Sequence, residues 1–239
     1  MKAKVKQTFN SLAGIYEHQV DHGSLFNSEF ERPAMLEQLP DSLEGKDILD
    51  AGCAAGWYTA ELARRGANVT GADLSPEMIS SAKRRVGNKA QLVCCDLEGK
   101  LPFDGGSFDW VISSLTLHYL KDWHQTFAEF HRILRPGGTI LFSVHHPFMD
   151  MELLDEPDYL AAELIVDRWT KAGQTFDVPF YRRPLQNIIN MTIARFSLQE
   201  LIEPRPTQVF KERKPDQYEK LMKAPHFLII RAVKAENPL

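Results

Sequence analysis

The sequence contains few cysteines, and none of them stands in the spacing of a zinc site. Only three occur among 239 residues, at Cys53, Cys94 and Cys95. An odd number, with two members adjacent, cannot all be paired within the chain, and a reducing cytoplasm is the simplest predicted location. We expect each cysteine to be a small buried apolar residue on or beside a strand.

Long apolar runs and an excess of basic charge are also absent. No apolar stretch approaches the roughly 20 residues that span a bilayer, and no apolar core of a secretory signal follows the basic N-terminus. The net charge is −4, so no positive field attracts nucleic acid or an anionic membrane. We therefore expect no membrane association and no nucleic-acid partner. The length allows one large α/β domain or two small ones. We expect a single domain over residues 1–239, as a monomer or a homodimer.

Residues Asp47 to Val144 alternate between strand-like and helix-like segments. A helix is predicted from Ser75, a suitable N-cap, to Gly87, and another from Trp123 to Leu134, whose aromatic residues have core spacing. Such alternation is typical of a doubly wound α/β fold, with a parallel sheet and helices on both faces. Short apolar or β-branched runs predict its strands at 47–51, 68–72, 90–95, 108–113 and 139–144.

Two segments lie outside this regular pattern. Residues 1–45 are predicted to form a helical cap, and residues 145–195 an irregular insertion rich in His, Pro, Trp and Tyr. Both are candidates to cover the strand ends as a lid. The remaining predicted divisions are a ligand-binding core at 46–144 and C-terminal strands at 198–203 and 226–233 within residues 196–239.

Polar residues stand where the predicted strands end, which is where parallel sheets bind ligands. Asp73 follows Gly52 by 21 residues, close to the roughly 20-residue offset of a ribose-binding acid. A carboxylate there accepts both hydroxyls of a diol. Asp96 is placed to accept an adenine amine while the N–H of Leu97 donates to the ring. The alternatives are a helix-capping or turn role for Asp73 and a surface turn for Asp96.

Glycines shape the turn after the first strand. Gly52 and Gly56 allow a sharp turn and a close approach of the backbone to a ligand. An NAD-dependent oxidoreductase would need Gly-x-Gly-x-x-Gly, whereas Cys53, Ala54 and Ala55 follow Gly52 here. The turn therefore disfavours a dinucleotide.

Together these residues resemble a known family. The run 48–56, with Asp73, Asp96, residues 107–109 and residues 134–138, is similar to the class I S-adenosylmethionine-dependent methyltransferases, closest to their type 11 group. The resemblance implies a Rossmann-like seven-stranded sheet whose last strand, at 226–233, is antiparallel. It also implies S-adenosyl-L-methionine as cofactor and S-adenosyl-L-homocysteine as product.

The resemblance also implies which residues hold the cofactor. The family's turn usually has a third glycine, so we expect the alanine at 54 or 55 to keep a negative φ. Arg32 is a candidate to pair with the cofactor carboxylate, or else forms a surface ion pair with Glu29 or Glu31. The predicted cofactor-binding residues are Tyr16, Arg32, Asp50, Gly52, Cys53, Ala54, Gly56, Asp73, Leu74, Met78, Asp96, Leu97, Ser113 and Ser114.

The methyl acceptor is not identified by any motif. If it is a hydroxyl or an ammonium, a base must remove its proton, and His118, His145, His146 and Tyr181 are the candidate catalytic residues. Because adjacent residues of an extended segment point to opposite sides, His145 and His146 are not both expected at the acceptor. No third ligand accompanies this pair at a readable spacing, so no metal is predicted.

The favoured function is the in-line transfer of a methyl group to a small-molecule acceptor. A non-catalytic sensor of S-adenosylmethionine or S-adenosylhomocysteine would need the same cofactor contacts. A methyltransferase that modifies tRNA or rRNA is a further alternative, disfavoured by the acidic balance of the chain.

Overall fold

The central sheet carries the site and has the predicted architecture. The computed structural model describes residues 1–17, 23–171 and 173–235. In chain order, the strands are β1 (Asp47–Ala51), β2 (Asn68–Asp73), β3 (Gln91–Cys94), β4 (Phe108–Ser113), β5 (Leu134–His145), β6 (Glu163–Lys171), β7 (Gln174–Arg182), β8 (Phe196–Ile202) and β9 (Phe227–Lys234). Seven of them form one sheet in the order β3–β2–β1–β4–β5–β9–β8, and β6 and β7 form a separate hairpin.

Strand directions confirm the predicted fold class. Strand β9 is antiparallel to both of its neighbours, β5 and β8, whereas the pairs among β1 to β5 are parallel. The chain therefore forms a mostly parallel α/β sheet with an antiparallel last strand. Its division into a cap, a core, an insertion and C-terminal strands stays a prediction, and residues 18–22, 172 and 236–239 of those segments lie outside the described residues.

Helices cover both faces of the sheet. They are α1 (Lys2–Ile15), α2 (Arg32–Leu36), α3 (Trp57–Arg64), α4 (Pro76–Val86), α5 (Trp123–Ile133), α6 (Pro147–Met151), α7 (Leu185–Ile193), α8 (Gln208–Arg213) and α9 (Pro215–Leu221). The predicted capping of α4 is confirmed, because the Ser75 hydroxyl accepts a hydrogen bond of 3.1 Å from the backbone N–H of Met78.

Aromatic residues of α5 form the core on one face of the sheet, as their spacing predicts. Trp123, Phe127 and Phe130 are at most 1% exposed and pack with Phe142 and Phe196. Burial of this many large side chains supplies the main apolar contribution on this face.

Residues 134–138 differ from the predicted break between helix and strand. Leu134 already pairs with Phe108, and the next partners are Thr139 and Trp110. The intervening Arg-Pro-Gly-Gly forms an irregularity within β5, because extra residues in one strand are accommodated as a bulge while pairing continues beyond it.

The expectation of an irregular segment at 145–195 is wrong. Strands β6 and β7 pair in an antiparallel hairpin from Glu163↔Arg182 to Lys171↔Gln174, and α7 follows. Ile165 is buried, whereas its neighbours Leu164 and Val166 are exposed. Three consecutive apolar residues on alternating faces hide the period of two that would have indicated a strand.

One of the cysteines departs from expectation. Cys53 is buried and Cys95 is half-buried, but Cys94 is exposed. Cys94 lies on β3, which pairs with a neighbour on one side only. An edge strand leaves part of its side chains in solvent. In the described ranges, no helix combines the length and hydrophobicity that crossing a membrane requires.

Candidate cofactor and acceptor site

The predicted cofactor residues meet at a cavity of about 600 Å³ at the carboxyl ends of the parallel strands. Its walls come from the ends of β1, β2 and β5, from the segment that follows β4, from α1 on the N-terminal side, and from the hairpin β6–β7. A cavity of this size lies in the range of small-molecule sites. The predicted residues that line it are Tyr16, Arg32, Asp50, Gly52, Cys53, Ala54, Asp73, Leu74, Asp96, Leu97, Ser114 and His145.

Asp73 is held rigidly at the end of β2. Its Oδ2 accepts from the backbone N–H of Ala54 at 3.0 Å, and its Oδ1 accepts from that of Ser75 at 2.8 Å. Burial raises the pKa of this carboxyl, and the backbone hydrogen bonds oppose the rise. Each oxygen retains a further lone pair, so the carboxylate remains able to accept hydroxyl groups from a ligand in the cavity.

The turn after β1 uses left-handed backbone at three residues, Gly52, Ala54 and Gly56. Gly52 has φ 85°, and a Cβ at this position would lie 2.2 Å from Oγ1 of Thr116. Ala54 has φ 45°, so the expectation that this alanine keeps a negative φ is wrong. A left-handed alanine costs about 1–2 kcal/mol. The geometry is maintained by the hydrogen bond that its N–H donates to Asp73.

Asp50, at the end of β1, is a second buried carboxyl. It is 1% exposed, and its Oδ2 accepts a hydrogen bond of 2.6 Å from the hydroxyl of Thr59. Burial raises its pKa to about 7, the hydrogen bonds from Thr59 oppose the rise, and the nearby Asp73 adds to it. A cationic group in the cavity would favour the ionised form.

Asp96 is tied to the first turn of α1. Nζ of Lys2 lies 2.6 Å from Oδ2 of Asp96 and 2.9 Å from Oε2 of Glu98. The Asp96 Oδ1 accepts from the backbone N–H of Glu98 at 3.0 Å. Lys2 itself lines the cavity, together with Val5, Lys6 and Phe9 of the same helix. Helix α1 therefore lies over the end of the cavity that Asp96 marks.

Glu31, which the sequence predicts as a surface partner of Arg32, is a buried residue beside the cavity. It is fully buried, accepts from the hydroxyls of Ser143 at 2.5 Å and Ser114 at 2.8 Å, and accepts from that of Tyr58 at 3.0 Å. Burial raises the pKa of Glu31, and these hydrogen bonds oppose the rise. A charged residue in a helical pattern gave no signal of this role.

Arg32 is buried, so the surface position predicted for its ion pair is wrong. It is 7% exposed, and its guanidinium lies 4.0 Å from the centroid of the Trp57 ring. Stacking on an aromatic face fixes the plane of the guanidinium. Arg32 therefore brings a positive charge to the cavity next to the turn that follows β1.

Three of the predicted cofactor residues lie outside the cavity lining. Met78 is fully buried, in a cluster of α1 and α4 residues that includes Leu12. The hydroxyl of Ser113 donates to the carbonyl of Ala51 at 2.9 Å, which places it between two strands. A Cβ at Gly56 would lie 3.0 Å from the Cβ of Ala82 on α4. These three positions lie behind the cavity lining.

Three of the predicted catalytic residues also lie outside the lining. His118 is 3% exposed, and burial lowers its pKa well below the usual value. Nδ1 of His146 accepts from the backbone N–H of Phe148 at 3.2 Å, so this imidazole caps α6. Tyr181 on β7 is half-buried and lies 5.4 Å beneath the guanidinium of Arg183. His145 alone among the four candidates lines the cavity.

A second end of the cavity surrounds His145 and has a different character. We call it the acceptor end and define it by the lining residues Phe26, His145, Met149, Glu152, Leu153, His226 and Phe227. The rings of Phe26 and His226 lie 4.7 Å apart, as do those of His226 and Phe227. Burial lowers the pKa of His226 to about 4, so this ring is neutral near pH 7.

Leu115, which follows β4, is a further lining residue that the sequence reasoning missed. Its φ is 45°, a conformation that bulky side chains rarely adopt. Its N–H donates to the backbone carbonyl of Ser143 at 3.1 Å and lies 3.0 Å from the hydroxyl of the same residue. Such strain is typical of ligand sites, and nothing in the local sequence indicates it.

Comparison with known proteins supports the cofactor assignment. Residues 49–142 match a family model described as a methyltransferase domain. A Mesorhizobium loti S-adenosylmethionine-dependent methyltransferase of known crystal structure is similar at 27% identity with a TM-score of 0.70, over 89% of this chain and 99% of that one. Within the described ranges, no group of three or more His, Cys, Asp or Glu side chains is arranged to hold a metal ion.

Two curated relatives show how far the similarity extends. An uncharacterised protein of Haemophilus influenzae is 29% identical over 88% of this chain and 89% of its own length. A malonyl-[acyl-carrier protein] O-methyltransferase of Serratia marcescens is 34% identical over 59% of this chain. The chain spans about half of that enzyme, 52% of its length.

Proposed function

We propose that the chain, whose residues 49–142 match a methyltransferase-domain model, is a class I S-adenosylmethionine-dependent methyltransferase. It transfers a methyl group from S-adenosylmethionine to a small molecule bound at the acceptor end. The observation that carries the proposal is the convergence of Asp73, Asp96, Arg32 and the Gly52 turn on one cavity. Each group matches a different part of this cofactor. These residues are far apart in the sequence, and only the fold brings them together.

The residues present fit the cofactor chemically. Asp73 has lone pairs left for the two ribose hydroxyls, and Asp96 has acceptor capacity for the adenine amine. The buried Arg32 would pair with the methionine carboxylate, and Asp50 with its ammonium group. When bound, the cofactor supplies an activated methyl group on a sulfonium. The protein's part is to align the acceptor, exclude water and accept a proton where the acceptor carries one.

His145 is the proposed proton acceptor. It is the last residue of β5 and the one predicted catalytic residue that lines the cavity. A side chain on a strand end is held by the sheet, and this favours a defined orientation toward a bound molecule. Tyr181 and His146 are better explained by their packing and capping contacts.

Titration calorimetry on the full chain tests the cofactor. We expect S-adenosylmethionine and S-adenosylhomocysteine to bind and NAD to leave no heat signal. Binding of NAD with no binding of either adenosyl compound would refute the proposal.

A sensor is the main alternative, because it would use the same cofactor contacts. Incubation of the protein with a metabolite extract and methyl-labelled S-adenosylmethionine separates the two. Label transferred to a small-molecule fraction supports the enzyme; cofactor binding with no transfer to any fraction supports the sensor. The same incubation with tRNA and rRNA addresses the nucleic-acid alternative.

A further inference from the structure

Beside the acceptor end lies a group of buried polar atoms without hydrogen-bond partners. They are Nδ1 and Nε2 of His118, Nδ1 of His145 and Oδ1 of Asp150, whereas Nε2 of His146 lies 3.1 Å from Oε1 of Glu203. Buried polar groups are nearly always paired in native proteins, so a group of exceptions at one place requires an explanation. A structural core would gain by replacing these residues with apolar ones. Their position beside the cavity points to function.

His145 and Asp150 face each other within this group. Nδ1 of His145 lies 3.5 Å from Oδ1 of Asp150, and the two side chains are 12% and 4% exposed. This separation is slightly too long for a hydrogen bond and closes with a small movement of α6. Catalytic hydrogen bonds are often long in ligand-free proteins and shorten when the substrate is bound.

The imidazole of His145 is held in one plane by its neighbours. It stacks on His118, with ring centroids 4.2 Å apart and an angle of 19°, and it meets the edge of Phe180 at 4.9 Å and 89°. With Nδ1 directed at Asp150, Nε2 is the ring nitrogen left for the cavity. The other titratable groups around the ring are the buried imidazoles of His118 and His226.

Charge at the acceptor end indicates what kind of molecule binds. Among the described residues that define this end, none is a lysine or an arginine, and one, Glu152, is acidic. An ionised carboxylate would therefore enter without a cationic partner and beside a negative charge, which is unfavourable. The flat rings of Phe26, His226 and Phe227 favour a planar aromatic molecule.

We propose that the acceptor is a phenol-like hydroxyl, that His145 takes its proton through Nε2, and that Asp150 is a positioning residue that holds the imidazole through Nδ1. This inference rests on the proposed methyltransferase function. As the acceptor oxygen forms its bond to the methyl carbon, its proton passes to Nε2. The electron pair of the carbon–sulfur bond stays on sulfur, so the sulfonium charge disappears and an imidazolium charge forms beside the Asp150 carboxylate.

Nitrogen NMR of the full chain, labelled with ¹⁵N-histidine and saturated with S-adenosylhomocysteine, tests the pair without an acceptor. The His145 signals are assigned from the His145→Gln spectrum. We expect neutral His145 to carry its proton on Nδ1, and Asp150→Asn to shift the tautomer population toward Nε2 because the negative charge that holds the Nδ1 proton is removed. Asp155→Asn, at an exposed carboxylate of the same segment, should leave it unchanged.

Assays with methyl-labelled S-adenosylmethionine test the acceptor class. They compare methyl transfer to substituted phenols with transfer to matched aryl carboxylates and anilines. We expect transfer to phenols, reduced roughly 100-fold or more by His145→Gln, with His124→Gln at an exposed position as the control. Asp150→Asn should lower kcat, because the imidazole is no longer held with Nε2 toward the acceptor.

The outcomes separate this inference from the function on which it rests. If S-adenosylhomocysteine does not bind, the methyltransferase proposal fails. If it binds, the inference is overturned by a proton on Nε2 of neutral His145, by equal His145 tautomer populations in wild type and Asp150→Asn, or by transfer to carboxylates or anilines and to no phenol. Absence of any transfer to phenols, with the cofactor bound, overturns the acceptor class.

Discussion

Replacement of Asp73 by Asn is the sharpest test of the cofactor site, because it changes the charge of one group and almost nothing of its shape. In the wild type, both carboxylate oxygens accept backbone N–H groups, from Ala54 and Ser75. Asn offers one carbonyl oxygen and one NH₂ group. One of the two backbone donors therefore loses its acceptor, and so does one of the ribose hydroxyls.

The expected loss of affinity follows from the hydrogen bonds at stake. Hydrogen bonds to a charged group contribute about 1.5–3 kcal/mol each, so loss or weakening of two ribose contacts costs roughly 3–6 kcal/mol. At about 1.4 kcal/mol per tenfold change, the Kd for S-adenosylhomocysteine should rise roughly 100- to 10,000-fold. Stability should change less, because the orphaned N–H costs about 1–3 kcal/mol while a buried charge is removed.

Calorimetric titration of S-adenosylhomocysteine into wild type, Asp73→Asn and the exposed-site control Asp41→Asn measures this effect. Thermal unfolding of the same samples checks that each variant is folded. A Kd for folded Asp73→Asn within threefold of the wild-type value would refute the ribose assignment. A comparable loss in Asp41→Asn would show that the effect is not specific to the site.

Two further predictions concern the stability of the ligand-free protein and use urea unfolding. Gly52→Ala should lower the free energy of unfolding by more than about 2 kcal/mol, because left-handed strain adds to the clash with Thr116. Gly137→Ala, with φ 72° and no atom within 4 Å of the added Cβ, should lower it by only about 1 kcal/mol. Equal losses in the two variants would contradict the steric argument. The folded-state pKa of Asp50, about 7, lies above the usual value of 3.8, so its stabilising contribution is complete below pH 4 and is lost as the pH rises through 7. The difference in the free energy of unfolding between Asp50→Asn and wild type should therefore shift in favour of the variant between pH 4 and pH 8, by up to about 4 kcal/mol. A difference that does not vary with pH would show that Asp50 is not the titrating group.

The frame of the fold and the cofactor end of the site could be predicted from local sequence. The strands at 47–51 and 108–113 have the predicted bounds, since buried parallel strands are continuous apolar runs that end in polar residues. Asp73 and Asp96 lie at the cavity because the ends of parallel strands share one edge of the sheet. The order of the strands along the chain and the periodicity of their apolar residues were sufficient to predict these placements.

Other features depend on contacts that no local pattern records. Glu31 accepts a hydrogen bond from Ser143, which lies 112 positions away in the sequence. A charged side chain is typical of the surface, and only the packing of distant segments shows that this one is buried. The hairpin β6–β7 has apolar residues on both faces, so its period was hidden. The left-handed backbone at Ala54 and Leu115 is imposed by hydrogen bonds to Asp73 and Ser143.

The sequence by itself determined a parallel α/β sheet, a glycine turn and a set of acidic residues at the strand ends, because these follow from periodicity and backbone preference. Only the tertiary structure decided that His145 rather than His146 faces the cavity. It also brought Asp150 to the buried nitrogen of that imidazole. Side-chain direction at the end of a strand, and the partners it meets, are set by the packing of distant segments against the sheet.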